Sequence, residues 1–533
     1  MSNDAKIPLI IGVSGHRDIC DESVLKASVR MQMEGIRDQC PHTELVLLSS
    51  LAAGGDQICA EIAFEMGIAV YVPLPEAIEG YREDFSGEDL VRFNRLVQKA
   101  EKVFAVADLP TKDEGYREAG LYVARHSHVL LALWDGHPGT KSGCGTAEAV
   151  GFMLEDAFKR PDGVVIRIHT PREKRESQGK PGEVTLIEEQ AGAFKQLLKK
   201  TDTFNEQAEG FSKEGEPLID AALLKGASPE IARLHRVYES ANALSMENRD
   251  KYLKCMRAMA WFSVGLVLAF LLYDEMEGNL FLFCYAALGI FAWRTLRLSK
   301  MHGYHEKYIT YRALAEALRV QFYLLLSGMG DQAADYFTWS QKCEEGWISA
   351  ALRALMIEAK PIKADINKVQ AAWIDAQLDY HSKKLEPTFK RMRFNDRVSD
   401  TTMRLAILAF VLIMVLEFYF EWVITWPLLR EGLPAFFLPH QGQEIIIRGI
   451  IKVLVGVSSA VSLFAANYYG KLSLKQKRGD HEKMVLLLRA AQRRLNGEDA
   501  KREDVLRELA REELTENGIW LSYSRDNAPT ISM

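Results

Sequence analysis

The first third of the chain alternates short apolar runs with longer charged stretches. The apolar runs are rich in branched residues and lie at 7–13, 44–49, 68–74, 102–107, 128–134 and 163–168. Helix-compatible stretches lie between them at 22–38, 56–66, 88–100, 114–126 and 146–158. Buried strands that alternate with amphipathic helices are typical of a doubly wound parallel sheet. The pattern therefore predicts an α/β, Rossmann-like fold, with any ligand at the carboxyl ends of the strands.

Three loops at those strand ends combine small residues with the start of a helix. Their sequences are GVSGHRD at 12–18, SSLAAGGD at 49–56 and GTKSGCGTAE at 139–148. Small residues let backbone N–H groups approach an anion, and a helix N-terminus adds its positive dipole end. A single glycine-rich loop more often only turns the chain tightly. Three such loops at one edge predict a nucleotide-sized pocket.

The candidate ligand-binding residues come mainly from these loops. They are Ser14, Gly15, His16, Arg17, Ser49, Gly54, Gly55, Arg82, Gly143, Gly145, Thr146 and Glu148. Arg17 could hold a phosphate through two guanidinium nitrogens, but arginine in such a loop is more often a surface residue or a partner for Asp18. His16 is as readily a packing residue, and Arg82 could reach a base or a phosphate. Asp56 stands where a helix N-cap belongs, and we prefer that structural role for it.

The same motifs resemble those of the SLOG superfamily over residues 7–170. The resemblance rests on GVSGHRD, SSLAAGGDQICAEIAFEMGI and GCGTAEA. The superfamily unites DNA-processing protein A sensors, Lonely-Guy phosphoribohydrolases and the ligand-binding domain of melastatin-type channels. It implies a nucleotide-derived ligand here, such as a nucleotide second messenger or an ADP-ribose-like compound, and no cofactor.

The catalytic loop of the SLOG enzymes is only partly present. That loop has the pattern P-G-G-x-G-T-x-x-E, and its glutamate takes part in cleaving an N-glycosidic bond. Gly143, Gly145 and Thr146 match the pattern, but Glu148 comes two residues after the threonine instead of three. A shift of one residue on a helix turns a side chain by about 100°. We therefore expect a phosphate cradle without a catalytic residue, and Glu148 is catalytic only in the alternative of a nucleotide hydrolase.

Four strongly apolar segments follow, at 258–273, 280–293, 405–420 and 449–469. The last is long enough to cross a bilayer, whereas the first two are shorter than the usual length of about 20 residues and could be buried core helices. The basic residues outside the two segment pairs are Lys251, Lys254, Arg257, Arg294, Arg297, Lys300, Lys390, Arg391, Arg393, Arg397, Arg404, Lys471, Lys475, Lys477 and Arg478. The positive-inside rule then predicts two transmembrane hairpins with both termini cytoplasmic. We expect these hairpins to lie in the cell inner membrane. The short apolar run at the N-terminus predicts no signal peptide.

The two hairpins look duplicated in sequence. LRLSKMHGYHEK at 296–307 aligns without a gap to LSLKQKRGDHEK at 472–483, and upstream Asn248 matches Asn395. This match predicts one ancestral unit present twice. Each copy would place long helices in the cytoplasm, at 230–256, 304–326, 364–393 and 479–495. Such helices favour a bundle that assembles a homo-oligomer.

The segments YHEKYITYRALAEALRVQ and ELAREELTENGIWLS resemble the SLATT family of two-transmembrane domains. The resemblance covers residues 230–525, in two copies. The family occurs in bacterial conflict systems beside second-messenger synthases and SLOG sensors, and it is thought to form pores that kill or arrest the infected cell. It implies anti-phage defence by membrane disruption, with a functional link to a nucleotidyltransferase or an NAD-consuming enzyme.

Small and charged residues on one face of the fourth apolar segment give candidates for a pore lining. These are Lys452, Ser459 and Ser462, although close helix packing is the commoner cause of such a stripe. The seven scattered cysteines show no metal spacing and predict free thiols in a reducing compartment, without a metal site. A net charge of −6 gives no electrostatic argument for nucleic-acid binding.

These patterns predict four parts along the chain. They are a nucleotide-binding domain at 1–170, a polar linker or extension at 171–228, and two-transmembrane units at 229–358 and 359–533. The main hypothesis is a cytoplasmic sensor that binds a nucleotide-derived signal and opens a transmembrane pore. Two alternatives stay open: a membrane-tethered nucleotide hydrolase or phosphoribohydrolase that uses Glu148, and a constitutive membrane scaffold with a degenerate sensor.

Overall fold

The structure is a computed structural model that divides into two compact units. It describes residues 5–106, 109–138, 145–154, 163–172, 179–210, 218, 227–276, 279–362, 366–425, 449–462, 474–497 and 501–526. The sheet unit comprises Met1–Leu244, Tyr311–Val369 and Lys501–Leu521. The helical unit comprises Ser245–Thr310, Gln370–Ala500 and Ser522–Met533. Three separate stretches of chain thus build each unit.

Seven strands form one sheet in the sheet unit. They are β1 Leu9–Gly15, β2 Leu45–Leu48, β3 Ala69–Leu74, β4 Lys102–Ala105, β5 Val129–Trp134, β6 Val164–His169 and β7 Val184–Glu188. Their order is β4-β3-β2-β1-β5-β6-β7, and neighbours run parallel except β6 and β7. The predicted α/β architecture, with a mostly parallel sheet, is therefore confirmed.

The central strands are apolar because they are buried on both faces. All four residues of β2 are buried, and so are the first five of β1 and of β5. A strand covered on both faces needs a continuous apolar run, which is why these strands could be recognised in the sequence. β1 pairs with β2 on one side and with β5 on the other, so the strand order changes direction between β1 and β5. Crevices for ligands form at such points.

β7 is a strand that the sequence did not predict. It falls in the stretch expected to be a polar linker, and it pairs antiparallel with β6 at the edge of the sheet. Its first three residues are exposed, so it needs no continuous apolar run. An edge strand of five residues with one solvated face carries too weak a pattern to stand out from a loop.

Helices connect the strands and make up most of the described chain after residue 210. Those of the first 210 residues are α1 Glu22–Gln39, α2 Gly55–Glu65, α3 Ile78–Arg82, α4 Gly87–Lys99, α5 Lys112–His126, α6 Thr146–Leu154 and α7 Ala193–Glu209. The later helices are α8 Pro229–Met276, α9 Asn279–His302, α10 Tyr304–Leu326, α11 Trp339–Glu344, α12 Gly346–Leu355, α13 Ile366–Val369, α14 Ala376–Thr425, α15 Gly449–Ser462, α16 Leu474–Leu495 and α17 Arg502–Asp526. A 3₁₀ turn lies at Ala333–Tyr336 and a π-helical stretch at Gln370–Asp375.

Within the described residues, three helical stretches are long and apolar enough to cross a membrane. They are Pro229–Glu275, Asn279–Leu326 and Asn367–Leu416. Their large apolar side chains point outward: Trp261 is 76% exposed and Phe283 72%. Contiguous apolar surface of this kind marks contact with lipid or with another apolar partner. The three stretches indicate a membrane protein, and they contain the first two predicted spans and most of the third.

The fourth predicted span is only partly described. α15 covers its first part and is apolar but shorter than a bilayer crossing, and residues 463–469 lie outside the described residues. The loop of the second hairpin, at 426–448, also lies outside them. Four spans, the two-hairpin topology and the side of the membrane on which each end lies stay predictions.

The two matched sequence segments share one buried residue and differ at another. Asn248 and Asn395 are both buried, with 5% and 8% exposure. The matched histidines contact different partners, since His305 Nε2 lies 2.9 Å from the Ser524 carbonyl oxygen and His481 Nδ1 lies 2.9 Å from His381 Nδ1. The matched sequences therefore make different contacts at that position.

Candidate functional site

A cleft of about 410 Å³ opens at the carboxyl ends of β1 and β5. Its walls come from the loop after β1, the loop after β5, the start of α6 and one face of α5. It lies where the strand order changes direction, the position expected for a ligand in such a sheet. The lining includes Ser14, Gly15, His16, Arg17, Asp18, Asp56, Tyr81, Tyr116, Arg117, Asp135, His137, Gly145, Thr146, Glu148, Phe152 and Arg172.

The cleft brings together just over half of the predicted ligand-binding residues. Those that line it are Ser14, Gly15, His16, Arg17, Gly145, Thr146 and Glu148. Ser49, Gly54 and Gly55 are absent from its lining, and their contacts lie in the packing beneath it. Arg82 is exposed on α3 and is also absent from the lining. Gly143 lies outside the described residues.

Asp56 forms part of the floor of the cleft. Its side chain is buried, with Oδ1 accepting from the backbone N–H of Gly15 at 2.9 Å and Oδ2 accepting from Ser49 Oγ at 3.1 Å. Burial raises the pKa of Asp56 to about 7, although these hydrogen bonds and the positive charge of Arg17 oppose the shift. The N-cap of α2 is Gly54, so our preferred capping role for Asp56 is wrong. Its carboxyl group ties the loops after β1 and β2 together instead.

The glycines after β1 and β2 allow those two loops to pack backbone against backbone. A Cβ on Gly15 would lie 2.8 Å from the Cα of Gly55, closer than real Cβ contacts come. Gly54 has φ +85°, and a Cβ there would lie 2.5 Å from the carbonyl oxygen of His16. The backbone N–H of Gly55 donates to that same oxygen at 3.0 Å. These glycines therefore shape the cleft through close packing.

His16 joins the loop after β1 to the end of β5. The backbone N–H of Asp135 donates to His16 Nε2 at 3.2 Å, and Asp135 Oδ1 lies 3.1 Å from the same nitrogen. Burial lowers the pKa of His16, although the Asp135 carboxylate opposes the shift. The imidazole is therefore mainly neutral at pH 7 and holds the two loops in position.

Arg17 is a charged side chain of the cleft that is available for an anion. It is exposed, and among the residues that the structure describes it makes no ion pair. Its guanidinium carbon lies 5.8 Å from the centre of the Tyr116 ring. Asp18 Oδ1 accepts a hydrogen bond from Arg172 Nε at 2.9 Å. The ion pair of Arg17 with Asp18 that we considered is therefore not formed.

Glu148 faces the cleft despite its displaced position in the loop. Its Oε1 accepts from Arg117 Nε on α5 at 3.0 Å, and the Arg117 guanidinium carbon also lies 5.1 Å from the Phe152 ring centre. Its Oε2 is buried and has no hydrogen-bond partner among the described residues. The carboxylate is thus positioned by one arginine and keeps one oxygen free.

Sequence reasoning missed the contribution of α5. Tyr116, Arg117 and Gly120 line the cleft from this helix, at spacings of one, three and four residues that place them on one side. The signal in the sequence was an amphipathic helix whose polar face carries an aromatic and a basic side chain. A face that only contacts water does not need an aromatic side chain. Asp135 was also missed, although it ends the apolar run of β5.

The candidate pore-lining residues lie on α15 in the helical unit, and two of them make contacts between helices. Lys452 Nζ donates to Glu275 Oε1 at 2.6 Å, and Ser462 Oγ donates to the carbonyl oxygen of Ser399 at 3.1 Å. Ser459 is half-buried. Contacts of this kind join membrane helices to one another.

The chemistry that the cleft can perform is anion binding, with a carboxylate close by. Arg17 offers a cationic fork, the N-terminus of α6 offers backbone N–H groups, and Tyr116 with Phe152 offers aromatic surface. Within the described ranges, no cluster of three or more histidine, cysteine and acidic side chains could hold a metal ion. No protein-family model and no curated protein matches the chain.

Proposed function

We propose that the cleft binds a nucleotide-derived anion and that its occupancy opens a pore through the membrane. The observation that carries the proposal is the cleft itself, with Arg17 free for a phosphate at the point where the strand order changes. Its volume of about 410 Å³ falls within the range of roughly 300–1,000 Å³ that small-molecule sites occupy. The Tyr116 and Phe152 rings supply surface for a base, and the small residue Gly145 leaves room for a phosphate near the start of α6.

The membrane part of the proposal starts from the three apolar helical stretches. We propose that residues 449–469 form a fourth span, which gives two hairpins in the cell inner membrane with both termini in the cytoplasm. Homo-oligomers of the chain would then surround a conduit, and opening it would disrupt the membrane of a phage-infected cell. A ligand can drive this change only if it binds the open state more tightly than the closed state.

The alternative is a membrane-tethered nucleotide hydrolase of the phosphoribohydrolase type. Glu148 favours it, because this carboxylate faces the cleft with a buried Oε2 that has no partner among the described residues. A carboxylate in that position could activate water or stabilise positive charge on a ribose ring. The two functions require the same ligand class and differ in whether the protein hydrolyses the ligand.

Binding can be tested with a matched pair of variants at Gly145. No described atom lies within 4 Å of a Cβ built there, so Gly145→Ala should keep the structure and should lower the affinity far less than a charged side chain does. Gly145→Asp places a negative charge in the cleft and should weaken the binding of any phosphate ligand by tenfold or more. Isothermal titration with nucleotides, cyclic dinucleotides and ADP-ribose measures this, and equal binding by both variants would show that the ligand does not use the cleft.

Liposome leakage and product analysis separate the two functions. The pore proposal expects dye release from liposomes when the ligand binds, retained in Glu148→Gln and lost in Gly145→Asp. The hydrolase alternative expects base released from the nucleotide, lost in Glu148→Gln. Ligand binding without either leakage or turnover would contradict both functions and leave a membrane scaffold with a binding domain.

A further inference from the structure

Two aspartates of the cleft each use one carboxylate oxygen within the protein and leave the other without a partner. Asp18 Oδ1 accepts from Arg172 Nε at 2.9 Å, and Asp135 Oδ1 accepts from the backbone N–H of His137 at 3.0 Å. The second oxygen of each, Oδ2, is buried and has no hydrogen-bond partner among the described residues. An ionised carboxylate only accepts hydrogen bonds, and a buried acceptor without a donor costs free energy. A donor from outside the chain would therefore stabilise both Oδ2 atoms.

Asp135 is the more deeply buried of the two. Its side chain is 2% exposed, whereas that of Asp18 is 17% exposed. Burial acts to raise the pKa of Asp135, but the hydrogen bond from His137 and the contact with His16 lower it below its ordinary value. Asp135 is therefore ionised at pH 7. An ionised acceptor that water hardly reaches binds a hydroxyl or amide donor strongly.

Contacts between loops place Asp18 and Asp135 on the same wall of the cleft. His16 Nε2 lies 3.1 Å from Asp135 Oδ1, and Asp18 follows His16 by two residues. Beyond Asp18, the backbone N–H of Cys20 donates to the carbonyl oxygen of Pro171, just after β6, at 3.1 Å. The loop after β1 thus lies against the ends of β5 and β6, and both aspartates line the cleft there.

A second wall, formed with α5 and α6, has different chemistry. The Arg17 guanidinium carbon lies 5.8 Å from the ring centre of Tyr116 on α5, and that of Arg117 lies 5.1 Å from the ring centre of Phe152 on α6. These groups suit a phosphate and an aromatic base. A ligand that satisfies both walls carries an anionic group and hydrogen-bond donors in one molecule.

We propose that the cleft selects a nucleotide with free ribose hydroxyls, and that Asp135 and Asp18 accept hydrogen bonds from those hydroxyls. This inference rests on the proposed function, since it names a part of the ligand of the same cleft. A neutral donor fits Asp18 better than a cation does, because Arg172 already balances the charge of Asp18 and would repel a cation. A ribose carries two adjacent hydroxyl groups, as many as the unsatisfied oxygens.

Selection against a deoxynucleotide follows from the burial of these oxygens. If the hydroxyl is missing, Asp135 Oδ2 stays desolvated and unpaired beside the bound ligand, which costs more than the absence of one exposed contact. We therefore expect 2′,3′-dideoxy-AMP to bind about tenfold more weakly than AMP, or weaker still.

The experiment titrates the full chain in nanodiscs with AMP and with 2′,3′-dideoxy-AMP by calorimetry. Asp135→Asn keeps the shape of the side chain and replaces the unpaired acceptor with a donor nitrogen. It should weaken AMP binding by about tenfold or more. The dideoxy compound should bind the variant as well as the unmodified chain or more tightly, because a negative charge near its phosphate is removed. A general disturbance of the fold would weaken both compounds alike.

Asp38→Asn is the matched control. Asp38 is exposed on α1 and absent from the lining of the cleft, so this variant should bind both compounds within about twofold of the unmodified chain. Repeating the titrations with EDTA and with Mg²⁺ tests whether the aspartates hold a metal ion instead of hydroxyls.

The outcomes separate this inference from the proposed function. Equal affinities of the unmodified chain for AMP and the dideoxy compound overturn the inference and leave nucleotide binding standing. Equal losses of both compounds in Asp135→Asn, or AMP binding that requires Mg²⁺ and does not depend on the hydroxyls, also overturn it. Absence of AMP binding overturns it as well. The proposed function falls only if ADP-ribose and cyclic dinucleotides also fail to bind.

Discussion

Two glycine-bearing segments at the same edge of the sheet use glycine in different ways. In the loop after β2, a Cβ on Gly54 would lie 2.5 Å from a carbonyl oxygen, and one on Gly55 would lie 2.9 Å from the Cα of Gly15. At the start of α6, a Cβ on Gly145 would meet no described atom within 4 Å. The first segment is closed by packing, whereas the second is open to the cleft.

The difference shows that glycine content alone does not identify a phosphate cradle. Both segments precede a helix and both are rich in small residues, so the sequence alone does not distinguish them. Glycine after β2 is needed because two backbones approach closely, and at Gly145 it is compatible with a ligand that comes close. Only the second kind of glycine can be substituted to change binding without changing the fold.

The strongest test of this comparison is Gly54→Ala. Gly54 has φ +85°, and the new Cβ would press on backbone atoms that cannot move without opening the β1 loop. Backbone strain of about 1–3 kcal/mol and overpacking of about 1–3 kcal/mol should act together. Hydrogen exchange measured by mass spectrometry should be faster in peptides from β1 and α2, by the factor that corresponds to this loss of stability. Gly145→Ala should leave those rates unchanged, and equal effects of both substitutions would remove the distinction between the segments.

The sheet could be predicted from the sequence because burial on both faces demands a distinctive pattern. Strands such as β2 and β5 are continuous apolar runs, and the helices between them have one apolar face. β7 could not be predicted, because an edge strand satisfies half of its backbone groups with water and carries no such run. The grouping of Tyr311–Val369 and Lys501–Leu521 with the sheet could not be predicted either, because it depends on contacts between distant parts of the chain.

The candidate site could be predicted to the level of its edge and of seven of the residues that line it. Ser14, Arg17 and Thr146 line the cleft because they lie near the end of a strand, after a strand and at the start of a helix, all at one edge of the sheet. The role of Asp56 was not predicted, since its partners Gly15 and Ser49 are visible only once the loops pack together. Local sequence gives the position of a side chain along an element, while its partner on another loop depends on tertiary structure.

The pH dependence of stability provides a second test of the packed loop. The pKa of Asp56 is raised in the folded state to about 7, above the value of about 3.9 expected in the unfolded chain. Between these values the folded protein keeps a proton that the unfolded chain has lost, so stability should fall as pH rises from about 4 to about 7. The slope should approach about 1.4 kcal/mol per pH unit.

Asp56→Asn isolates this contribution, because an amide keeps the shape of the carboxyl group and does not titrate. Exchange of β1 peptides, corrected for intrinsic rates, should depend less on pH in the variant than in the unmodified chain across that range. The variant should also be the more stable of the two at pH 8. Parallel pH profiles for the two proteins would mean that the carboxyl group is not desolvated by the packing of these loops.

Arg17→Met tests the residues that are open to the cleft. The side chain is exposed and unpaired among the described residues, so its removal should leave stability within about 0.5 kcal/mol. The affinity for a phosphate ligand of the cleft should fall by about tenfold, which corresponds to about 1.4 kcal/mol for a lost charge-assisted contact. Calorimetric titration measures the loss, with Arg82→Met as the control, because Arg82 is exposed but absent from the lining. Equal losses in both variants would indicate a general charge effect.

Ser49→Ala should have the smallest effect on stability of the substitutions in the packed loop after β2. Ser49 Oγ donates to Asp56 Oδ2 at 3.1 Å and accepts from the backbone N–H of Leu51 at 3.2 Å. Loss of these bonds should cost about 1 kcal/mol at pH 8, where the carboxylate is ionised and accepts the hydroxyl proton. The pKa of Asp56 should rise further, because the hydrogen bond to its ionised form is removed. The variant should therefore differ less in stability from the unmodified chain at pH 5 than at pH 8. A stability difference that is independent of pH would show that Ser49 acts only through its hydrogen bond to the backbone of Leu51.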